Sequence, residues 1–373
     1  MKKLLQFLCW PILFGFIIGI GIICLKPELA GLTSSSTDYF FSQVTTLISG
    51  SKRVSFDAAV KKATPAIVNI SAKTILNHDK AFIAIPLHLQ KHKNNIETSI
   101  GSGIIIHPNG FILTNNHVIQ GADHIIVGLR DNRNIDATVV GIDSETDLAV
   151  LQIHVNKLPH IRFANSTKAK VGDIVLAIGN PFGLAQTVTM GIISATGRHD
   201  LQLNTYEDFI QTDAAINIGN SGGALVNAYG DLIGVNTLLL STGGGNESIG
   251  FAIPSEMARF VMNSILRHGY VIRGWLGIES QPLNSSLAEA YEIDTDSGIL
   301  ISGVYENGPA DQAGLRRGDI LIDLNGDKTI DGKRLMNRVA QIPPGSKVTL
   351  RVLRNGKKIK LKAQVAKRPI INS

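Results

Sequence analysis

Ser221 stands in Gly219-Asn220-Ser221-Gly222-Gly223, His117 in Thr114-Asn115-Asn116-His117-Val118-Ile119, and Asp147 directly before Leu148-Ala149-Val150. A serine hydroxyl is a poor nucleophile at neutral pH. It becomes a good one beside an imidazole that takes its proton, itself oriented by a carboxylate. Here the three residue types lie in tight contexts within one domain-sized window. Glycines on both sides of Ser221 permit a sharp turn and leave room for a substrate carbonyl. The N–H groups of Gly219 and Ser221 can then converge as an oxyanion hole on the oxygen that turns negative under attack. Taken singly, each residue has a plain structural reading: a turn serine, a core histidine, a capping aspartate. Taken together, His117, Asp147 and Ser221 point to acyl transfer.

The surrounding elements must position these groups. Gly110-Phe111-Ile112-Leu113-Thr114 reads as a strand that delivers His117 at its end. Leu148-Ala149-Val150-Leu151 reads as a strand that holds Asp147 at the edge of a core. Phe56 to Val60 predicts a short helix and Ala66 to Ile70 a strand. Short β-rich runs then recur at Gly103 to His107, Ile125 to Leu129, Ala137 to Ile142, Val175 to Ile178, Leu232 to Asn236 and Ile249 to Ile253. That spacing is the pattern of a sandwich or barrel. Pro254-Ser255-Glu256 carries a capping signal and opens a helix to about Arg267. The chain order His, Asp, Ser is that of chymotrypsin-type proteases and differs from the subtilisin and α/β-hydrolase orders.

A second module follows. Gly274-Trp275-Leu276-Gly277-Ile278, Gly308-Pro309-Ala310, Ala313-Gly314-Leu315-Arg316-Arg317-Gly318-Asp319-Ile320-Leu321 and Asn325-Gly326 resemble a PDZ domain. Such a module adds an extended peptide to a sheet edge. The peptide's terminal carboxylate is expected on the backbone N–H groups of the Trp275, Leu276, Gly277, Ile278 loop.

With Gly179-Asn180-Pro181-Phe182-Gly183 and Gly191-Ile192-Ile193-Ser194-Ala195-Thr196-Gly197-Arg198, these motifs make the chain resemble the HtrA family of serine proteases from about residue 53 onward. One N-terminal anchor with one PDZ domain is most similar to its membrane-anchored branch. The resemblance implies a homotrimer of chymotrypsin-like double β-barrels. It also implies protein substrates, control by C-terminal peptides of misfolded outer-membrane proteins, and cleavage of a membrane-bound anti-sigma factor. Arg198 matches the family position on the loop that senses the PDZ domain, which makes it the candidate regulatory relay. Family alignment places Ile218 and the segment from Asn236 to Leu240 at an apolar side-chain pocket. Asn220 replaces the Asp of zymogen-activated enzymes, so loop order rather than N-terminal cleavage is expected to control activity. The alternative is a non-proteolytic PDZ scaffold or holdase, against which the complete triad argues.

Composition bounds the rest. The chain has 373 residues, a net charge of +6 and a pI near 9.2. Much of the excess lies between Lys347 and Arg368, where charges alternate as on a strand and aromatics are absent. A solvated sheet face fits this better than a nucleic-acid surface. The 22 residues from Leu4 to Leu25 carry no charge. As a helix they span ~33 Å, enough for a hydrocarbon core of ~30 Å. Lys2 and Lys3 put the N-terminus in the cytoplasm and the remainder in the periplasm. A cleaved signal peptide is the rival, but the apolar run is long and Ile23 is bulky for a processing site. Cys9 and Cys24, the only cysteines, both fall in this segment and are too far apart along a helix to pair. A Ser/Thr-rich linker follows, interrupted by Tyr39-Phe40-Phe41, which could meet a partner subunit or the membrane interface. His78, His88 and His92 lie in a stretch without strand signal, expected to be a surface loop rather than a metal site. No cofactor or metal enters this reading. The expected architecture is mainly β: a transmembrane anchor (1–25), a linker (26–52), a double β-barrel protease domain (53–268) and a PDZ domain (269–373).

Overall fold

The computed structural model describes residues 14–15, 18–19, 55–75, 96–181, 186–217, 219–237, 249–283, 285–290, 298–329 and 331–369. The chain divides into two compact units, residues 1–55 and 56–373. In the first, Phe14, Gly15, Ile18 and Gly19 are helical. The expected anchor otherwise lies outside the described residues, as do the linker (26–52), Arg53, Val54 and the His78, His88, His92 stretch. No helix among the described residues is long and apolar enough to cross a membrane.

The second unit opens with α1 (Asp57–Ala63). Six strands then close a first barrel: β1 (Ile67–Ile75), β2 (Ile96–His107), β3 (Phe111–Asn115), β4 (His124–Gly128), β5 (Asn134–Asp143) and β6 (Leu148–Gln152), in the order β1-β2-β3-β6-β5-β4. The short helix α2 (Asn116–Ile119) leaves the end of β3. A second barrel uses β7 (Ile174–Gly179), β8 (Thr187–Arg198), β9 (Phe209–Thr212), β10 (Ala224–Asn227), β11 (Leu232–Thr237) and β12 (Gly250–Pro254), in the order β10-β11-β12-β9-β8-β7. Closure pairs every strand on both sides and leaves no open edge. The β-branched side chains Ile67, Val68, Ile70, Ile104, Ile112, Val150 and Ile178 are fully buried.

Helix α3 (Ser255–His268) follows and buries Met257, Ala258, Val261 and Ile265 against the barrels. It ends at Gly269, left-handed with φ +79°, whose N–H donates to Ile265 O at 2.7 Å. Its start corrects the capping expectation. Ser255 does not cap the helix; its hydroxyl donates to Ala164 O at 2.8 Å. The cap comes from afar instead, since Glu256 N–H donates to Ser166 Oγ at 3.1 Å.

The C-terminal module contains β13 (Gly274–Trp275), β14 (Ile278–Pro282), α4 (Ser285–Ala290), β15 (Ile299–Val304), α5 (Pro309–Gln312), β16 (Ile320–Leu324), β17 (Asp327–Lys328), α6 (Gly332–Ala340), β18 (Lys347–Arg354), β19 (Lys357–Gln364) and β20 (Ala366–Lys367). β13 pairs with β20; the main sheet runs β14-β15-β16-β18-β19, with β17 on β16. Val348, Leu350 and Val352 turn into its core while Lys358, Lys360 and Lys362 face solvent, the face expected for the basic segment. Asp331 caps α6 by accepting from Arg334 N–H at 2.8 Å. Met336 and Ala340 of α6 pack on the barrel core, so one helix serves both modules.

Candidate active site

β3 ends at Asn115 and α2 begins at Asn116, so His117 is presented on the first turn of a helix beside the barrel mouth. Asp147 occupies the residue before β6 and is left-handed, with φ +59°. Asp is one of the few non-glycine residues that tolerate this region. Four contacts hold it there. Its carbonyl accepts from Asn116 N–H at 3.1 Å and from Asn115 Nδ2 at 3.0 Å. Its carboxylate accepts from His117 N–H at 2.9 Å and meets His117 Nδ1 at 2.6 Å. In the neutral ring this places the proton on Nδ1 and the lone pair on Nε2. The aspartate side chain is 15 % exposed and the histidine 43 %, so a largely sheltered carboxylate carries an accessible base.

Ser221 lies between the barrels and is 5 % exposed. The turn around it is held from several directions: Asn220 N–H donates to Asn217 O, Gly222 N–H to Asn236 O and Gly223 N–H to Asn220 O, at 3.0, 2.9 and 2.9 Å. Gly222 has φ +79°, and a Cβ there would lie 2.2 Å from Ser102 O. No other residue fits that position. The Asn220 side chain is buried, and its Oδ1 has no hydrogen-bond partner among the described residues. Of the expected pocket wall, Asn236 and Thr237 are buried at the end of β11; Ile218 and residues 238–240 lie outside the described residues.

The expected carboxylate loop runs from β13 into β14. Leu276 is buried and its carbonyl accepts from Ala310 N–H at 2.9 Å. Gly277 has φ +72°, its carbonyl accepts from Tyr305 N–H at 3.0 Å, and a Cβ there would strike the Trp275 ring at 2.8 Å. The Trp275 ring meets Tyr305 edge-on, with centroids 5.5 Å apart. β14 pairs only with β15 among the described residues, so its other edge is open beside α6.

Sequence reasoning missed the contact surface between the modules. Arg273 makes two hydrogen bonds to Asp143, at 3.0 and 2.6 Å, and an ion pair with Glu145 at 3.1 Å. Its guanidinium lies 4.3 Å from the centroid of the Tyr206 ring. Arg368 donates to Glu145 at 2.6 Å and to the Tyr206 hydroxyl at 2.9 Å. Burial raises the Tyr206 phenol above its ordinary range, with Glu145 adding to the rise and the two arginines opposing it. Asn337 Nδ2 of α6 donates to Glu207 O at 2.6 Å, while the Glu207 carboxylate collects the N–H groups of Leu201, Leu203 and Asn204. Arg198 stays within the barrel, its Nε donating to Gln211 Oε1 at 2.8 Å. The next residue, His199, reaches across, with Nε2 3.5 Å from Asp331. Clefts of about 480 and 350 Å³ lie along this seam.

Two domain families match the chain: a trypsin-like peptidase domain over residues 101–235 and a PDZ domain over residues 274–365. The serine endoprotease DegS of Escherichia coli K12 is 40 % identical over 362 residues, 96 % of this chain and 97 % of its own length. The chain belongs to the HtrA family of serine endoproteases. Among solved structures, the HtrA-type protease AlgW with a tripeptide superposes with a TM-score of 0.71 at 50 % identity, covering 85 % of this chain and 99 % of AlgW. A probable periplasmic DegP-like endoprotease of Chlamydia pneumoniae is 44 % identical over 288 residues; this HtrA chain spans 59 % of its length.

Proposed function

We propose that this chain is a membrane-anchored serine endopeptidase of the bacterial envelope, controlled by C-terminal peptides on its PDZ domain. The observation that carries the reading is the 2.6 Å contact between His117 Nδ1 and Asp147 Oδ2, in a fold that also sets Ser221 in a glycine-framed turn. His117 Nε2 takes the proton of Ser221 Oγ as the oxygen attacks the scissile carbonyl. Asp147 orients the ring and stabilises its charged form. Gly219 and Ser221 N–H groups receive the oxyanion. His117 then protonates the leaving amine, the C–N bond breaks, and water releases the acyl group by the same route.

Residues 53–268 form the protease domain and 269–373 the PDZ domain; the Leu4 to Leu25 segment is the inner-membrane anchor. The substrates are unfolded or regulatory proteins, including a membrane-bound anti-sigma factor, and the working enzyme is a homotrimer facing the periplasm. The open edge of β14 and the Trp275 to Ile278 loop take the peptide and its carboxylate. Arg198 relays that event to the nucleophile loop. The deciding experiment is cleavage of a denatured protein by the full chain, with and without a panel of C-terminal peptides, beside Ser221→Ala. Peptide-stimulated cleavage that vanishes in the variant is expected. Cleavage surviving Ser221→Ala overturns the nucleophile, and no cleavage with any peptide favours the scaffold.

A further inference from the structure

Ser102 is fully buried on β2, flanked by Gly101 and Gly103, and all its polar groups are used. Its N–H donates to Ser221 O at 2.8 Å, and its hydroxyl donates to Gly219 O at 2.6 Å. The same hydroxyl accepts from Asn180 N–H at 2.8 Å, and its carbonyl accepts from Thr114 Oγ1 at 2.7 Å. Asn180 is held from its other side, since its carbonyl accepts from Asn69 Nδ2 at 3.0 Å. A line of hydrogen bonds therefore runs from β1 of the first barrel, through Asn180 and Ser102, to the nucleophile turn of the second.

The consequence lies in peptide-plane orientation. In a trans peptide the C=O and the following N–H point in opposite directions. The plane between Gly219 and Asn220 is held at both ends, by the Ser102 hydroxyl on its carbonyl and by Asn217 O on its N–H. The next plane turns its carbonyl to Gly223 N–H, which directs Ser221 N–H the opposite way. The third is held by Ser102 N–H and Asn236 O. The first plane sits between the two proposed oxyanion donors. If it rotated, the Gly219 carbonyl would swing toward the place where those donors converge and set an acceptor against the developing negative charge.

We infer that Ser102 is a positioning residue for acyl transfer: its hydroxyl keeps the Gly219 carbonyl turned away from the oxyanion site and so holds the nucleophile turn in its productive form. This rests on the endopeptidase reading above. Ser102 touches neither substrate nor reacting atoms; it acts through the backbone of Gly219 and Ser221. Replacing the hydroxyl leaves Gly219 O and Asn180 N–H without this partner in a buried site, which favours rearrangement of the turn.

The test uses the full chain, a chromogenic peptide substrate at saturating activating peptide, and a peptide boronic acid, whose tetrahedral adduct on Ser221 mimics the oxyanion. Ser102→Ala is expected to lower kcat by about 10–100-fold, somewhat below the loss from deleting an oxyanion donor outright. KM should stay within about threefold, boronate affinity should fall in step with kcat, and peptide affinity at the PDZ domain should not change. Ser102→Thr, which keeps the hydroxyl, should recover most of the rate. If the alanine variant does not fold, Ser102→Cys, with similar volume and a weak donor, carries the same expectation. Wild-type kcat and boronate affinity in a folded alanine or cysteine variant overturn the inference, and so does a loss confined to KM. If wild type itself neither turns over substrate nor binds the boronate, the endopeptidase reading fails instead.

Discussion

Arg273 and Asp143 stand 130 residues apart in the chain and meet as a two-bonded pair, Nη1 to Oδ1 at 3.0 Å and Nη2 to Oδ2 at 2.6 Å. Both side chains are only 6 % exposed. Asp143 ends β5 of the first barrel and Arg273 precedes β13, so one buried ion pair joins the protease fold to the start of the PDZ module. Removing Asp143 leaves buried Arg273 with Glu145 as its remaining carboxylate partner, whereas replacing both Asp143 and Arg273 with apolar groups need not destabilise. Asp143→Ala is expected to cost about 3–5 kcal/mol in chemical denaturation. Asp143→Leu with Arg273→Met should cost clearly less. Equal losses would mean that charge burial does not govern this contact.

Asp208 lies at the same seam. Burial raises its carboxyl above the ordinary carboxylate range, opposed by Arg334 and His199. A raised folded-state value means that the group favours folding below its unfolded pKa and that this contribution is lost as pH rises through the folded value. Asp208→Asn should therefore raise the Tm at neutral pH relative to wild type. The two proteins should converge as pH falls into and below the ordinary carboxylate range. A Tm difference independent of pH would contradict the direction of the shift.

Asp147 holds His117 through both a ring and a backbone contact. Asp147→Asn keeps the shape but favours the wrong imidazole tautomer, a change that costs about 10⁴-fold in kcat in proteases of this design. Steady-state cleavage of a peptide substrate measures it. Loss of less than about tenfold would show that Asp147 does not set the histidine's tautomer.

At the left-handed Gly277 a side chain would strain the backbone and press on the Trp275 ring. Gly277→Val should distort the loop and weaken peptide binding at least tenfold, since charge-assisted bonds to the carboxylate are the stronger kind. Wild-type chain should lose affinity to a similar degree for a C-terminally amidated peptide. Titration calorimetry with free-acid and amidated peptides decides; equal affinities would rule out carboxylate capture.

If Arg198 relays peptide binding, Arg198→Ala should blunt peptide stimulation while leaving peptide affinity intact. Coupling of ~1–3 kcal/mol corresponds to ~5–150-fold activation, so the change is readable in initial rates. Full stimulation in that variant would move the relay to its neighbour His199, whose ring faces Asp331 at the start of α6.

How far the sequence carried depends on the range of each interaction. The strand leading toward His117, the strand opening after Asp147, the glycine turn at Ser221 and helix α3 are local patterns, and all four are present; only the short helix α2 that carries His117 itself was not read. β8 was not legible: its alternating Val188, Met190 and Ile192 lie on an exposed face, and Gly191 and Gly197 interrupt it, so the pattern did not mark a buried strand. Ser102 was hidden for a similar reason, since a serine between two glycines reads as a weak point in a strand.

Residue types, their order and the local backbone geometry each glycine permits were fixed by the sequence alone, because turns and strand periodicity arise within a few neighbouring residues. Which groups share a bond was decided only in three dimensions. Barrel closure brings Ser102 beside Gly219, 117 positions away, and module docking brings Arg368 to Glu145 across 223. Such pairs leave no periodic trace in the chain, since their geometry depends on strand register and on how two finished cores pack.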